Sequence, residues 1–335
     1  MRRLQFIVLA TLALSAGAAA QWAPGTAVKV GKAPNFIRLT PDGKQAVVAN
    51  YGSNDLSVLR VDAAKPEDRR VPAGFGPLGM AFRADGQGLY VADKDSGLIK
   101  EFTLPGFEMV DSYKVGNIPT DLVATPDGYS LLAANFGKGK FGRVDVLDLQ
   151  KKRVVESIQV GVRPLAIVTN PGGSVAYVAN SASNTLSVIS LEVYKVLETI
   201  PVGEGPMGLA MSRNGRKLFI SHSRSNDLWV YDVRRKAVLH KIALPAGPFR
   251  IAVSPDDRLL AIPCFGAHAV ALVDSDATSD SKVYSVAVKK NPVEAVFLPD
   301  GLSLLVACEG DERVMKVAVP AAARPVPAKE ETTND

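Results

Sequence analysis

Two sets of side chains in this chain have the types and the spacing to do chemistry. The first set closes a series of short apolar runs: Asn50, Asp93, Asn135, Asn180, His222, Cys264 and Cys308. The second lies two residues after a recurring proline: Phe36, Gly79, Asp121, Ala166, Gly208, Arg250 and Glu294. In the first set, Asn and Asp suit a side-chain bond to the backbone of the turn that follows. His222, Cys264 and Cys308 cannot make that turn. An imidazole with two thiols is a donor set for Zn²⁺ or Cu⁺. Two other readings of the cysteines stand beside the metal. An even count in an exported chain suits a disulfide, although equivalent positions round a ring point the same way and not at each other. Two inert, half-buried thiols are the third.

In the second set, Asp121, Arg250 and Glu294 are charges where other units carry Gly or Ala. Arg250 and Glu294 fall in adjacent units and can pair, or they can orient a polar ligand. A third feature is an insertion between Asn135 and Val144. Its Phe136, Lys138 and Lys140 have the basic, aromatic character of a stacking or phosphate-contacting loop, and equally of plain surface. No nucleophile–base pair is visible, and no Cys-x-x-Cys-His haem attachment occurs.

The elements that must position these residues repeat. The proline recurs as Pro34, Pro77, Pro119, Pro164, Pro206, Pro248 and Pro292. A period of roughly 40 to 45 residues with several short strands per unit is the pattern of a propeller blade. The predicted fold is all-β: a seven-bladed β-propeller of four-stranded antiparallel blades. The last unit has three strands of its own, so Thr26 to Val30 is expected to pair with Val314 to Val317 and close the ring, removing two exposed edges. Pro263 interrupts a central strand and predicts a bend or bulge there. First strands run down and second strands run up. Both sets of candidate residues therefore belong to one rim of the ring, and the rim with His222, Arg250, Cys264, Glu294 and Cys308 is the expected functional face.

The 335 residues are 47% hydrophobic and carry a formal charge of +5. Residues 1–20 read as a signal peptide: Arg2 and Arg3, an apolar stretch from Phe6 to Leu14, and Ala18-Ala19-Ala20 before Gln21. Its removal leaves 37 basic and 34 acidic residues, a net +3, too small a balance to argue for a polyanion partner by itself. The expected organisation is signal peptide 1–20, propeller 21–319 and a disordered Ala/Pro-rich tail 320–335. The expected location is periplasmic or secreted. No later segment is apolar for long enough to span a membrane, and a monomer is expected.

The recurring pattern resembles the YVTN-type (YncE-like) β-propeller repeat. It is carried by Val160-Gly161-Val162-Arg163-Pro164, Tyr177-Val178-Ala179-Asn180 and Ser183-Asn184-Thr185-Leu186-Ser187-Val188, and recurs over residues 26–319. The resemblance implies a bacterial, extracytoplasmic protein. The wider seven-bladed group includes sugar lactonases and haem- or quinone-linked propellers. The leading expectation is a ligand-binding or scaffold module without a cofactor, taking a small molecule or protein at the channel mouth through Asp121, His222, Arg250 and Glu294. A lactonase or hydrolase using Glu294 and Asp121 with Arg250, and a polyanion binder using the Phe136–Lys140 loop, are the alternatives.

Overall fold

The computed structural model describes residues 22–137 and 139–324. Seven four-stranded antiparallel sheets make up the ring. Blade five shows how the sequence builds each one. Its strands are Pro206–Met211, Lys217–His222, Asp227–Asp232 and Ala237–Ala243. Asn214-Gly215 turns the chain between the first two, with Gly215 at φ 69°, a conformation that only glycine adopts without strain. Ser212 Oγ bonds Asn214 Oδ1 and accepts from the Lys217 amide, which fixes the turn. Second strands are packed on both faces and are almost wholly buried, as in Leu259–Cys264. Fourth strands alternate exposed and half-buried residues, as in Lys195–Pro201. That is the period-two pattern of a sheet with one wet face.

The last blade is closed as expected. Ala27–Lys29 pairs with the third strand of blade seven in the register Ala27↔Met315, Val28↔Val314, Lys29↔Arg313. Trp22 is buried in the core shared by blades seven and one. The ordered chain runs past residue 319. Ala321–Ala323 form a 3-10 turn, and Ala323 is buried against the core of blades six and seven. The signal segment 1–20, Lys138 and the tail 325–335 lie outside the described residues. Among the described residues, no helix is long and apolar enough to cross a membrane.

Blade six departs from its neighbours at its innermost strand, which is reduced to Ala252–Val253. In blades one, three, four, five and seven the residue two after the repeat proline pairs with the second strand, as Asp121 does with Ala134. In blade six the matching partner of Arg250 is Pro263, which has no N–H to give. The ladder is left with an isolated Pro248↔Cys264 bridge and the pairs Ala252↔Ala261 and Val253↔Leu260. The bend or bulge expected at Pro263 does not appear in its own strand, which pairs in unbroken register with Ala269–Asp274; the interruption falls on the innermost strand, and Arg250 sits outside the ladder.

Candidate functional site

The strand-end residues do not reach a ligand-accessible rim. All seven are fully buried, and in blades one to five their side chains reach across the blade to the third strand, not to the following turn as expected for blades one to four. Asn50 donates to Asp55 and Ser57 on the third strand. Asn180 does the same with Thr185 and Ser187. Asn135 reaches Asp145, and Asp93 pairs with Lys100 while accepting from the Phe75 amide. His222 fits this scheme: its Nδ1 lies 2.8 Å from Asp227, and its ring packs 5.0 Å from that of Trp229.

The linker that enters each blade explains the residue types. A side chain on Gly161 would meet Asn180 Cγ at 2.6 Å, and one on Gly203 would meet His222 Cγ at 2.8 Å. Gly31 and Gly74 stand in the same relation to Asn50 and Asp93. In blades six and seven the linker position holds Pro245 and Lys289, and the strand end is Cys. Where the linker gains a side chain, the residue beneath it shrinks. Both thiols are free and buried, and each donates to a carbonyl of its own strand: Cys264 to Ile262, Cys308 to Val306. The disulfide is therefore absent. The proposed metal set of His222, Cys264 and Cys308 is not assembled either, because each side chain is enclosed in its own blade. Among the described residues, no three His, Cys, Asp or Glu side chains group for a metal.

The second set does converge. Asp121, Arg250 and Glu294 meet at the ring axis, at the floor of a cavity of about 800 Å³. Glu294 Oε2 accepts from the Ile37 amide at 2.7 Å, and Oε1 pairs with Arg38. Asp121 accepts from the amides of Leu122 and Ile167, at 3.0 and 3.2 Å. Arg250 lies with its guanidinium carbon 3.6 Å from the Phe36 ring centroid, a cation–π contact. Its polar contacts are long: 3.4 Å to the Leu165 carbonyl, 3.5 Å to Asp121 and 3.9 Å to Glu294. Two cations face two anions, so the cluster is neutral as a whole. Burial pushes the Asp121 carboxyl up and the Arg250 guanidinium down. Burial acts on Arg38 in the same way, but the charges of Glu294 and Asp121 outweigh it and raise that group.

Arg38 went unnoticed in the sequence, although the repeat exposes it. Four residues after the proline, the other six units carry Ala81, Val123, Val168, Ala210, Ala252 and Val296. The access route also differs from expectation. The cavity lining runs from Asp121, Ala166, Arg250 and Glu294 to Leu39, Phe82, Met211, Arg213, Ser254 and Asp257, at the turns between first and second strands. None of the repeat prolines lines it. The floor is therefore reached from the rim of Asp42 and Asp127, opposite to the expected one. At about 3.3 Å per residue, the four steps from Arg250 to Ser254 make the channel about 13 Å deep.

The blade-three loop is separate from this site. Phe136 packs beneath Arg163, 5.3 Å from ring centroid to guanidinium carbon. Phe141 is exposed and borders a small surface pocket with Arg143. Lys140 is exposed. None of the three lines the channel. Among the described residues the channel wall carries no His, Cys, Lys or Tyr, and its single hydroxyl, Ser254, is bonded to Asp256.

A family model described as lactonase, seven-bladed beta-propeller, matches residues 24–243. The matched stretch includes Arg38 and Asp121 and stops short of Arg250 and Glu294. Among solved structures, a chain of Kuenenia stuttgartiensis hydrazine synthase is similar in fold, with a TM-score of 0.79 at 19% identity. The likeness covers 89% of this chain and 99% of that one. No curated protein matches the chain.

Proposed function

The chain belongs to the lactonase, seven-bladed β-propeller family, and from that premise we propose that it is a binding propeller that takes one small, polar, uncharged molecule at the floor of its channel. The observation that carries this is the state of Arg250. Its guanidinium is largely buried, stacked on Phe36 and held only by contacts of 3.4 to 3.9 Å, whereas Asp121 and Glu294 are saturated by backbone amides and Arg38. A buried charge without short bonds gains most from a ligand oxygen. The neutral cluster favours a carbonyl or hydroxyl over a full anion.

Lactone hydrolysis is the second reading, favoured by the family and by one local feature. Arg250 could polarise a lactone carbonyl, and Asp121, with its carboxyl raised by burial, is the better placed base for water. Against it, both Asp121 oxygens already accept amide bonds, and no nucleophile–base pair lines the channel. A pH-stat assay with a panel of aldonolactones separates the two readings. Turnover by the native protein that Arg250→Met abolishes would establish the enzyme. Absence of turnover, with a neutral molecule seen in native mass spectra of the protein taken from its source and lost in Arg250→Met, supports the binder.

The YVTN-like repeat and the leader-type residues 1–20 support placing this activity outside the cytoplasm. N-terminal sequencing of the exported protein should begin at Gln21, and Met1 at that end would refute the cleavage.

A further inference from the structure

Third strands carry an apolar residue four places in, facing the next blade: Val58, Val146, Val188, Val230 and Leu272. Two blades break this rule with a charge. Blade two has Glu101, and blade seven has Lys316. Glu101 is fully satisfied, taking Arg83 on one oxygen and the Tyr113 hydroxyl on the other. Lys316 is not. The residue as a whole is 5% exposed, so its stem is enclosed while its ammonium opens into a pocket, where it makes no hydrogen bond or ion pair with any described residue.

Lys316 lines a cavity of about 260 Å³ at the seam where blade seven meets blade one, with Gly43, Lys44, Val61, Asp62, Leu298, Pro299 and Asp300. The two carboxylates there are already engaged. Asp62 is paired through both oxygens with Arg60, at 2.9 and 3.1 Å. Asp300 accepts from the amides of Leu302 and Ser303. Lys316, Lys44 and Arg60 against Asp62 and Asp300 leave the pocket with one positive charge. An ammonium held at a pocket mouth on an enclosed stem, with none of its three donors spent on the protein, is placed to bind an acceptor that enters the pocket.

We propose that this seam pocket is an anion site, in which Lys316, with Lys44 at its lip, holds one small oxyanion such as phosphate. The cavity is separate from the axial channel and shares no lining residue with it. Its place matters for the fold. The Lys316 amide donates to Thr26, and its carbonyl accepts from Gly25, so the residue also anchors the closing N-terminal segment. A bound anion would bridge the third strand of blade seven to the first turn of blade one, and would stabilise the closed ring by mass action.

The test is calorimetric titration and thermal melting of the mature protein in inorganic phosphate, acetate and chloride at equal ionic strength. Phosphate should bind and raise Tm by a few degrees over chloride. A matching response to acetate would show that a carboxylate group is accepted as well. Lys316→Met restores the apolar repeat residue. It should fold, bind phosphate about tenfold weaker or worse through loss of a charge-assisted bond, and melt at the same temperature in phosphate as in chloride. Lys44→Ala, on the exposed turn, should weaken binding several-fold without changing Tm in chloride. No phosphate binding by the native protein, or equal binding by Lys316→Met, overturns the proposal.

Discussion

The strand ends and the channel floor both break the sevenfold pattern, yet they break it differently. At the strand ends each departure is answered inside its own blade. Gly161 and Gly203 leave room for Asn180 and His222, while Pro245 and Lys289 stand over the smaller Cys264 and Cys308. At the channel floor no blade answers for itself. Arg38, Asp121, Arg250 and Glu294 come from blades one, three, six and seven, and they balance only across the axis. A residue that departs from its repeat is a packing adjustment when its compensation is local. It points to a ligand when the compensation is distant and incomplete, as it is at Arg250.

The largest expected effect separates the two regions by charge. Arg250→Met leaves Asp121 and Glu294 sharing Arg38 alone. Breaking a buried pair on one side destabilises by about 3 to 5 kcal/mol, and the long contacts of Arg250 put it at the lower end. Adding Asp121→Asn restores neutrality and should recover much of the loss in urea unfolding. No recovery would mean that the floor is held by packing, like the strand ends.

A smaller effect tests the volume rule. Gly203→Ala places a methyl about 2.8 to 3.0 Å from three atoms of the His222 ring, and overpacking of this kind costs about 1 to 3 kcal/mol. His222→Cys should rescue it, reproducing the Cys pattern of blades six and seven. In a double-mutant cycle the coupling should approach the cost of Gly203→Ala itself. Additive effects would sink the claim that linker and strand end compensate each other.

The fold was legible because its information is redundant. Proline, turn and apolar run recur in register, and even the closing strand could be placed from the missing fourth strand of the last unit. The three floor charges were also legible, since each stands out against Gly, Ala or Phe at one repeat position. What failed was direction. Type and position marked His222, Cys264 and Cys308 as unusual, but only packing shows that the two cysteines mirror residues 245 and 289 in the linkers and that His222 fills the space under Gly203. Likewise the repeat register cannot say which end of the axis is open. Arg38 and Lys316 are marked in the sequence by the same logic at two further repeat positions, four after the proline and four into the third strand, where most units carry an apolar residue.

A pH series sharpens the contrast further. The Asp121 carboxyl is raised by burial from its ordinary value of 3.8. The folded protein therefore holds this proton more tightly than the unfolded chain does. The stability it contributes is complete below about pH 4 and is lost as pH rises through the folded-state pKa. Native protein compared with Asp121→Asn should show this relative decline as pH rises above about 4. Mutation of Ser187, which serves a neutral strand-end clasp, should leave the pH dependence untouched. A native-minus-Asn difference that stays flat above about pH 4 would show that burial at the floor does not disfavour the Asp121 charge.

The smallest expected effect concerns the thiols. Burial pushes both Cys264 and Cys308 up to about 12, so at pH 8 almost no thiolate is present to react. Native protein should resist iodoacetamide for hours at this pH, and each thiol should be modified once the chain is unfolded in urea without reductant. Full alkylation in urea alone also reports that no disulfide had formed. Cys264→Ala trims one buried sulfur and should cost about 1 kcal/mol or less, leaving any channel ligand bound as before. Rapid labelling of the native thiols, or loss of the channel ligand in Cys264→Ala, would place the cysteines with Arg250 on the functional side of the comparison and dissolve the distinction between locally and distantly compensated departures.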